Sequence, residues 1–292
     1  LYDVVSRAWV VEWALTRFWG PLGDAFDAAL ARLQPERGPQ RASPARRRFG
    51  WAVAGLVIAG LGYGTIQAVG FLAQVPLAEW GTIGLAAAAT AARVTIAIVV
   101  AGLWTVPAGV AMGTNPRISR IAQPAAQVVA SIPATALFPV FVVGLLSVAG
   151  GLNIAAVLLM LLGTQWYVLF NVLAGASSIP RDLYDTSEML GLDTRLRWTT
   201  LILPALYPYL VTGLITASGG AWNASIVAEY VVVGGQTYQV LGIGAVIASA
   251  TERGDYAVLF AATVVLIVVV VAINRLLWRR LYARASERFR FD

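Results

Sequence analysis

Unbroken apolar runs alternate along this chain with short polar stretches that collect its arginines. Six runs stand out, at residues 51–72, about 86–112, about 121–148, 152–174, about 205–230 and 256–277. Each is near or beyond the ~20 residues that a helix needs to cross the hydrocarbon core. The runs are continuous and not alternating, which excludes the strands of a membrane barrel. Arg93 lies inside the second run, and Pro124, Pro133 and Pro139 interrupt the third. The pattern predicts an all-α polytopic membrane protein with about six transmembrane helices.

The polar stretches carry an orientation. If the N-terminus is cytoplasmic, the inner segments hold every arginine outside the runs except Arg253. These include Arg46, Arg47 and Arg48 before run one, Arg117 and Arg120 after run two, and Arg181, Arg195 and Arg197 after run four. The tail adds Arg275, Arg279, Arg280, Arg284, Arg288 and Arg290. Positive charge concentrated on one side predicts both termini in the cytoplasm, with loops 73–85 and 234–255 outside. Ahead of run one, residues 1–48 read as a cytoplasmic segment and linker. Trp9, Trp13 and Trp19 there suggest an interfacial helix before the Pro/Gly/Arg-rich part.

Composition narrows the chemistry. The chain is 59% hydrophobic and 12% charged, with a mean hydropathy of +0.73. Ordinary soluble domains carry about 25% charged residues, so lipid must serve as part of the solvent. Cys and His are absent, which removes thiol nucleophiles, disulfides, the commonest zinc ligands and the easiest general base. Lys is absent as well, so no Walker-type phosphate loop is possible. No metal site, cofactor or catalytic residue is expected.

The most informative stretch lies between runs four and five. Pro180 suits a first helical turn, Gly191 a left-handed stop, and Asp193 the cap of a second short helix that Pro204 ends. Asp185-Thr186-Ser187, Gly191, Leu201 and Leu203-Pro204 stand at fixed intervals along it. That spacing resembles the cytoplasmic signature of binding-protein-dependent ABC-transporter permeases of the MetI-like type I importer fold. The chain has Asp-Thr-Ser where the family usually has Glu-Ala-Ala. The stretches 204–230, Leu241-Gly242-Ile243-Gly244 and Ser131-Ile132-Pro133 resemble its nitrate/sulfonate/taurine branch.

The resemblance implies that residues 49–278 form an importer transmembrane domain and that the 180–204 loop is a coupling helix docked in an ATPase cleft. Arg181, Leu183, Tyr184, Asp185, Met189, Leu190, Gly191, Leu203 and Pro204 would then meet the ATPase. The alternative for these side chains is an amphipathic helix lying on the bilayer. The implied partners are ABC ATPase subunits, an extracytoplasmic solute-binding protein, a second permease half and the lipid bilayer; nucleic acid is not among them. Residues 3–18 can be laid on 274–289 without gaps, with Ala14/Ala285, Arg17/Arg288 and Phe18/Phe289 coinciding. With Leu1 as the first residue, this suggests that residues 1–18 end a preceding, fused half. A homodimer and a chance match of basic tails remain the alternatives.

Polar groups inside the runs are candidates for a solute pathway or for helix–helix hydrogen bonds: Gln165, Trp166, Tyr167 and Asn171 in run four, Trp222 and Asn223 in run five. Gly213, Ala217, Ala221 and Ser225 make a small-residue stripe that Glu229 continues. Three readings of Glu229 stand: a pore or subunit contact, the water interface, and an ion pair with Arg93. The leading function is an importer permease for a small oxyanion or sulfonate. An ion-gradient-driven secondary transporter is the alternative, and it calls for embedded acids and an inverted repeat.

Overall fold

The computed structural model describes residues 44–288. The tryptophans at 9, 13 and 19, the 1–18 echo and the linker up to residue 43 lie outside the described residues. Two units divide within the first helix, the first ending at Gly64 and the second running from Thr65.

That first helix, α1, covers Pro44–Ala73, so residues 44–48 are helical rather than linker. Proline is at home at a helix start, where its missing N–H has no intrahelical partner to lose. α2 (Leu77–Thr114) begins nine residues before the expected 86, and at 38 residues it runs about 57 Å. Glu79 in its first turn suits the positive end of the helix dipole.

The third run does not form one straight span. α3 (Pro116–Ala130) and α4 (Ala134–Leu145) meet at a 78° bend. Pro124 and Pro139 ride inside helices, whereas Pro133 breaks one. The residue before a proline is pushed out of the α region, and Ser131-Ile132-Pro133 opens the chain there. Five helices in the described residues are long and apolar enough to cross a membrane, or six if the bent pair counts as one span.

α5 (Gly151–Ser177) is the centre of the second unit, packed between α2 and α8 (Leu203–Ala228). Small residues allow the approach: a Cβ on Gly109 would meet Val172, and one on Gly213 would meet Asn171 and Val168. Phe138, Leu159, Met160 and Ile243 anchor one apolar cluster. Val110, Val168, Val172 and Leu206 anchor a second.

Between α5 and α8 lie two short helices, α6 (Arg181–Met189) and α7 (Thr194–Arg197). Pro204 was expected to end the second short helix, and it does not. A π-helical turn at Trp198–Ile202 carries the chain straight into α8. Pro204 cannot donate to Thr200; the ladder widens instead, and Leu203 N–H reaches back to Trp198 O. An antiparallel hairpin, β1 (Tyr230–Val233) with β2 (Gln236–Gln239), starts at the last residue of run five, and the expected outer loop 234–255 holds β2 and α9 (Ile243–Arg253). α10 (Tyr256–Ile273) then passes through a second π-helical turn, Asn274–Trp278, into α11 (Arg279–Arg288).

Candidate functional site

The 180–204 projection is fixed at its corner, where the end of α6 and the start of α7 are both capped. Pro180, at φ −58° and ψ 138°, stands just before α6 rather than in its first turn. At the other end Leu192 N–H donates to Ser187 O at 3.0 Å and Gly191 N–H to Glu188 O at 2.9 Å. This paired closure requires a left-handed residue, and Gly191 sits at φ 65°. Asp193 caps α7, its Oδ1 accepting from Leu196 N–H at 2.7 Å. Arg197 bridges back to Glu188 at 3.6 Å, a half-exposed pair of little energetic weight.

The projection has two faces. Met189 and Leu190 are 87% and 69% exposed, and Leu183 is 37% exposed. Arg181 and Asp185 are exposed as well; Leu203 is exposed at the start of α8, toward α2 rather than on α6, and Pro204 is half-buried. Tyr184 turns inward instead, packing with Trp198 against the second apolar cluster. Its hydroxyl is buried with no hydrogen-bond partner among the described residues. Burial pushes the Tyr184 phenol up from its ordinary pKa, against the opposing pull of Arg197.

The candidate pathway groups divide in the same way. Gln165 is buried and accepts from Trp104 Nε1 at 3.1 Å. Trp166 stands edge-on to Trp104 and stacks on Phe170. Trp222 is buried in the first apolar cluster. By contrast Asn223 is exposed, and Asn171 is partly so. Tyr167, the remaining polar candidate of run four, lies beside Asn171 on the seam with α8, 44% exposed. A Cβ on Gly213 or Gly220 would touch these two residues.

Glu229 is 1% exposed and Arg93 8%. Arg93 Nη1 donates to Glu229 Oε1 at 2.7 Å, and Thr90 Oγ1 donates to the same oxygen at 2.7 Å. Gly244 N–H donates to Oε2 at 2.9 Å. The remaining guanidinium donors reach Asn153 Oδ1 and, at 2.7 Å, Leu241 O. A Cβ on Gly242 would fall on the Glu229 carboxylate, so the backbone passes where only glycine fits. Of the three readings of Glu229, the geometry supports the pairing with Arg93. The small-residue stripe before it is buried against the chain's own helices. Thr90 could have been found in sequence, one turn before Arg93 on the same face; the backbone partners could not.

Residues 105–286 match the model of the binding-protein-dependent transport system inner membrane component family. The chain belongs to this family. The matched stretch takes in the 180–204 projection, α8 and Glu229, while Thr90 and Arg93 precede it. Among curated relatives, the bicarbonate transport system permease protein CmpB of Synechocystis sp. is 28% identical over 156 residues, 53% of this chain and 52% of the relative. The nitrate import permease protein NrtB of Leptolyngbya laminosa is 27% identical over 168 residues, 58% and 57% of the two chains. The taurine transport system permease protein TauC of Escherichia coli is 27% identical over 165 residues, 56% of each. The chain thus spans a little over half the length of these relatives. As a family member with several apolar helices, it is a multi-pass inner-membrane transport component.

Proposed function

We propose that this chain is one permease half of an ABC importer for a small anion of the oxyanion or sulfonate class. A separate ATPase docks on the 180–204 projection, and an extracytoplasmic solute-binding protein delivers the solute to the opposite side. The carrying observation is the projection itself. Its signature residues run from α6 through the π-helical turn into α8, with a left-handed Gly191 closing α6 and Met189 and Leu190 exposed beside it. A stiff arm can transmit a displacement that a loose loop would absorb.

Both termini are cytoplasmic in this reading, which puts the projection on the ATPase side and the hairpin with α9 outside. A second half, as another copy or as a fused neighbour, completes the pathway. The exposed polar groups Tyr167, Asn171 and Asn223 face that pathway. An ion-gradient-driven mechanism has less support, because the carboxylate buried among the spans, Glu229, is already paired with Arg93.

The test is capture of the ATPase encoded beside this gene by the tagged chain, followed by ATP-dependent uptake of bicarbonate, nitrate and taurine in vesicles. ATPase capture with uptake of one of these anions supports the reading. Uptake that persists without ATPase and follows an ion gradient overturns it.

A further inference from the structure

α2, α8 and the α10–α11 rod enclose a groove of about 650 Å³. Its walls are almost wholly hydrocarbon, with Leu103, Val106, Leu210, Leu214, Leu277 and Leu281 among them. The rod is held against α8 by Trp278, which is buried and donates its indole N–H to Ser218 Oγ at 3.3 Å. The groove is therefore a built feature: one wall is pinned, and the space beside it is left open along spans that lie in lipid.

Charge marks one end of the groove. Leu277 and Leu281 line it, and Arg280 and Arg284 follow them at i+3, on the same side of the helix. Both arginines are exposed. Among the described residues neither is in an ion pair. An apolar slot that opens onto unpaired arginines at the membrane surface is complementary to an anionic amphiphile.

The groove opens onto the bilayer, where acyl chains already stand, so a chain fills it by packing against the apolar walls rather than by leaving water. The arginines at one end supply the selective attraction, which favours an anionic headgroup. We propose that the groove is a binding site for an anionic phospholipid, one acyl chain lying along Leu103 and Leu214 and the phosphate held by Arg280 and Arg284. The lipid fills the gap between the tail and the α2–α8 pair, and so couples the rod that follows α10 to the membrane surface.

The proposal is independent of which solute is carried. It is tested on the assembled transporter carrying the full chain, reconstituted with equal phosphatidylglycerol and phosphatidylcholine and then purified through detergent. Retained lipid is counted by native mass spectrometry. Phosphatidylglycerol should remain bound in preference. Each surface arginine contributes about a fivefold preference, so Arg280→Gln with Arg284→Gln should reduce the preference roughly twenty-fivefold. Gly102 lines the groove, and nothing lies within 4 Å of a Cβ placed there. Gly102→Phe should therefore displace the lipid without disturbing the helices. A photoreactive residue at Leu103 should cross-link to lipid. Equal retention of both lipids, retention unchanged by Gly102→Phe, or a cross-link to protein in place of lipid would each overturn the proposal.

Discussion

Arg93 and Glu229 stand 136 residues apart in the chain and meet at 2.7 Å inside it. Their contact joins α2 to the end of α8, and through Gly244 N–H and Leu241 O it also fixes the entry to α9. A buried pair of this kind is worth little against an apolar replacement, but removing one partner strands the other charge and costs about 3–5 kcal/mol. Arg93→Leu and Glu229→Leu should each destabilise the protein by that order. Arg93→Leu/Glu229→Leu should lose less than the sum of the two. Thermal unfolding in detergent measures the coupling; strict additivity would mean that the two charges do not depend on each other.

That pair was readable because charge is rare in long apolar runs: once Arg93 and Glu229 fell near the same end, few other partners existed for either. The spans were readable for a similar reason, since an uninterrupted apolar run of this length has few soluble uses. Orientation of side chains around the helices was not. Gln165 and Asn171 share a helix that is apolar all round, so nothing in the pattern told that Gln165 would face Trp104 and Asn171 the seam. The prolines were equally silent. Pro124, Pro133, Pro139 and Pro204 look alike in sequence, yet only Pro133 breaks a helix, because the outcome rests on the backbone of the preceding residues. The hairpin and α9 were missed because they are short, with four residues in each strand and eleven in the helix, too few for a sustained period.

Tyr184 carries a buried hydroxyl with no partner among the described residues. An unsatisfied buried group costs about 1–3 kcal/mol, and removing it with the ring left in place recovers part of that. Tyr184→Phe should leave stability unchanged or raise it slightly, while Tyr184→Ala should lower it by about 3–5 kcal/mol through the lost ring. Melting curves of the two variants decide it. A clear loss with Phe would show that the hydroxyl has a partner in the assembled transporter.

The proposed orientation can be read directly, since the chain has no cysteine background. Thr237→Cys in the hairpin should react with an impermeant maleimide added outside whole cells. Arg195→Cys, on the 180–204 projection, should react only after the membrane is opened. The reverse pattern would place the projection outside and remove the ATPase from consideration.

Asn171 and Asn223 differ from Gln165 in a way that separates pathway from core. The two asparagines are exposed to different degrees, whereas Gln165 is buried and bonded to Trp104. Asn171→Ala and Asn223→Ala should raise the solute concentration for half-maximal uptake several-fold with little change in melting. Gln165→Ala should instead destabilise by about 1–3 kcal/mol, since Trp104 loses its acceptor. If the asparagine variants melt early and transport normally, these side chains are packing groups.

Gly191 offers the sharpest test of coupling, because its constraint is conformational and not spatial. No atom lies within 4 Å of a Cβ placed there, yet φ is 65°. Any loss on substitution therefore comes from the backbone. Asn tolerates the left-handed region and Val does not, with a cost of roughly 1–2 kcal/mol or more for the branched side chain. Gly191→Asn should dock the ATPase and transport nearly as well as the parent, while Gly191→Val should reach the membrane and lose both activities. Met189→Asp probes the adjacent surface. The side chain is almost fully exposed, so stability should not change, but a charge placed in an apolar contact should weaken docking about thirtyfold or more. Arg117→Gln, outside the projection, is the control that should do neither. Normal docking and uptake in both Gly191→Val and Met189→Asp would mean that the ATPase engages some other surface.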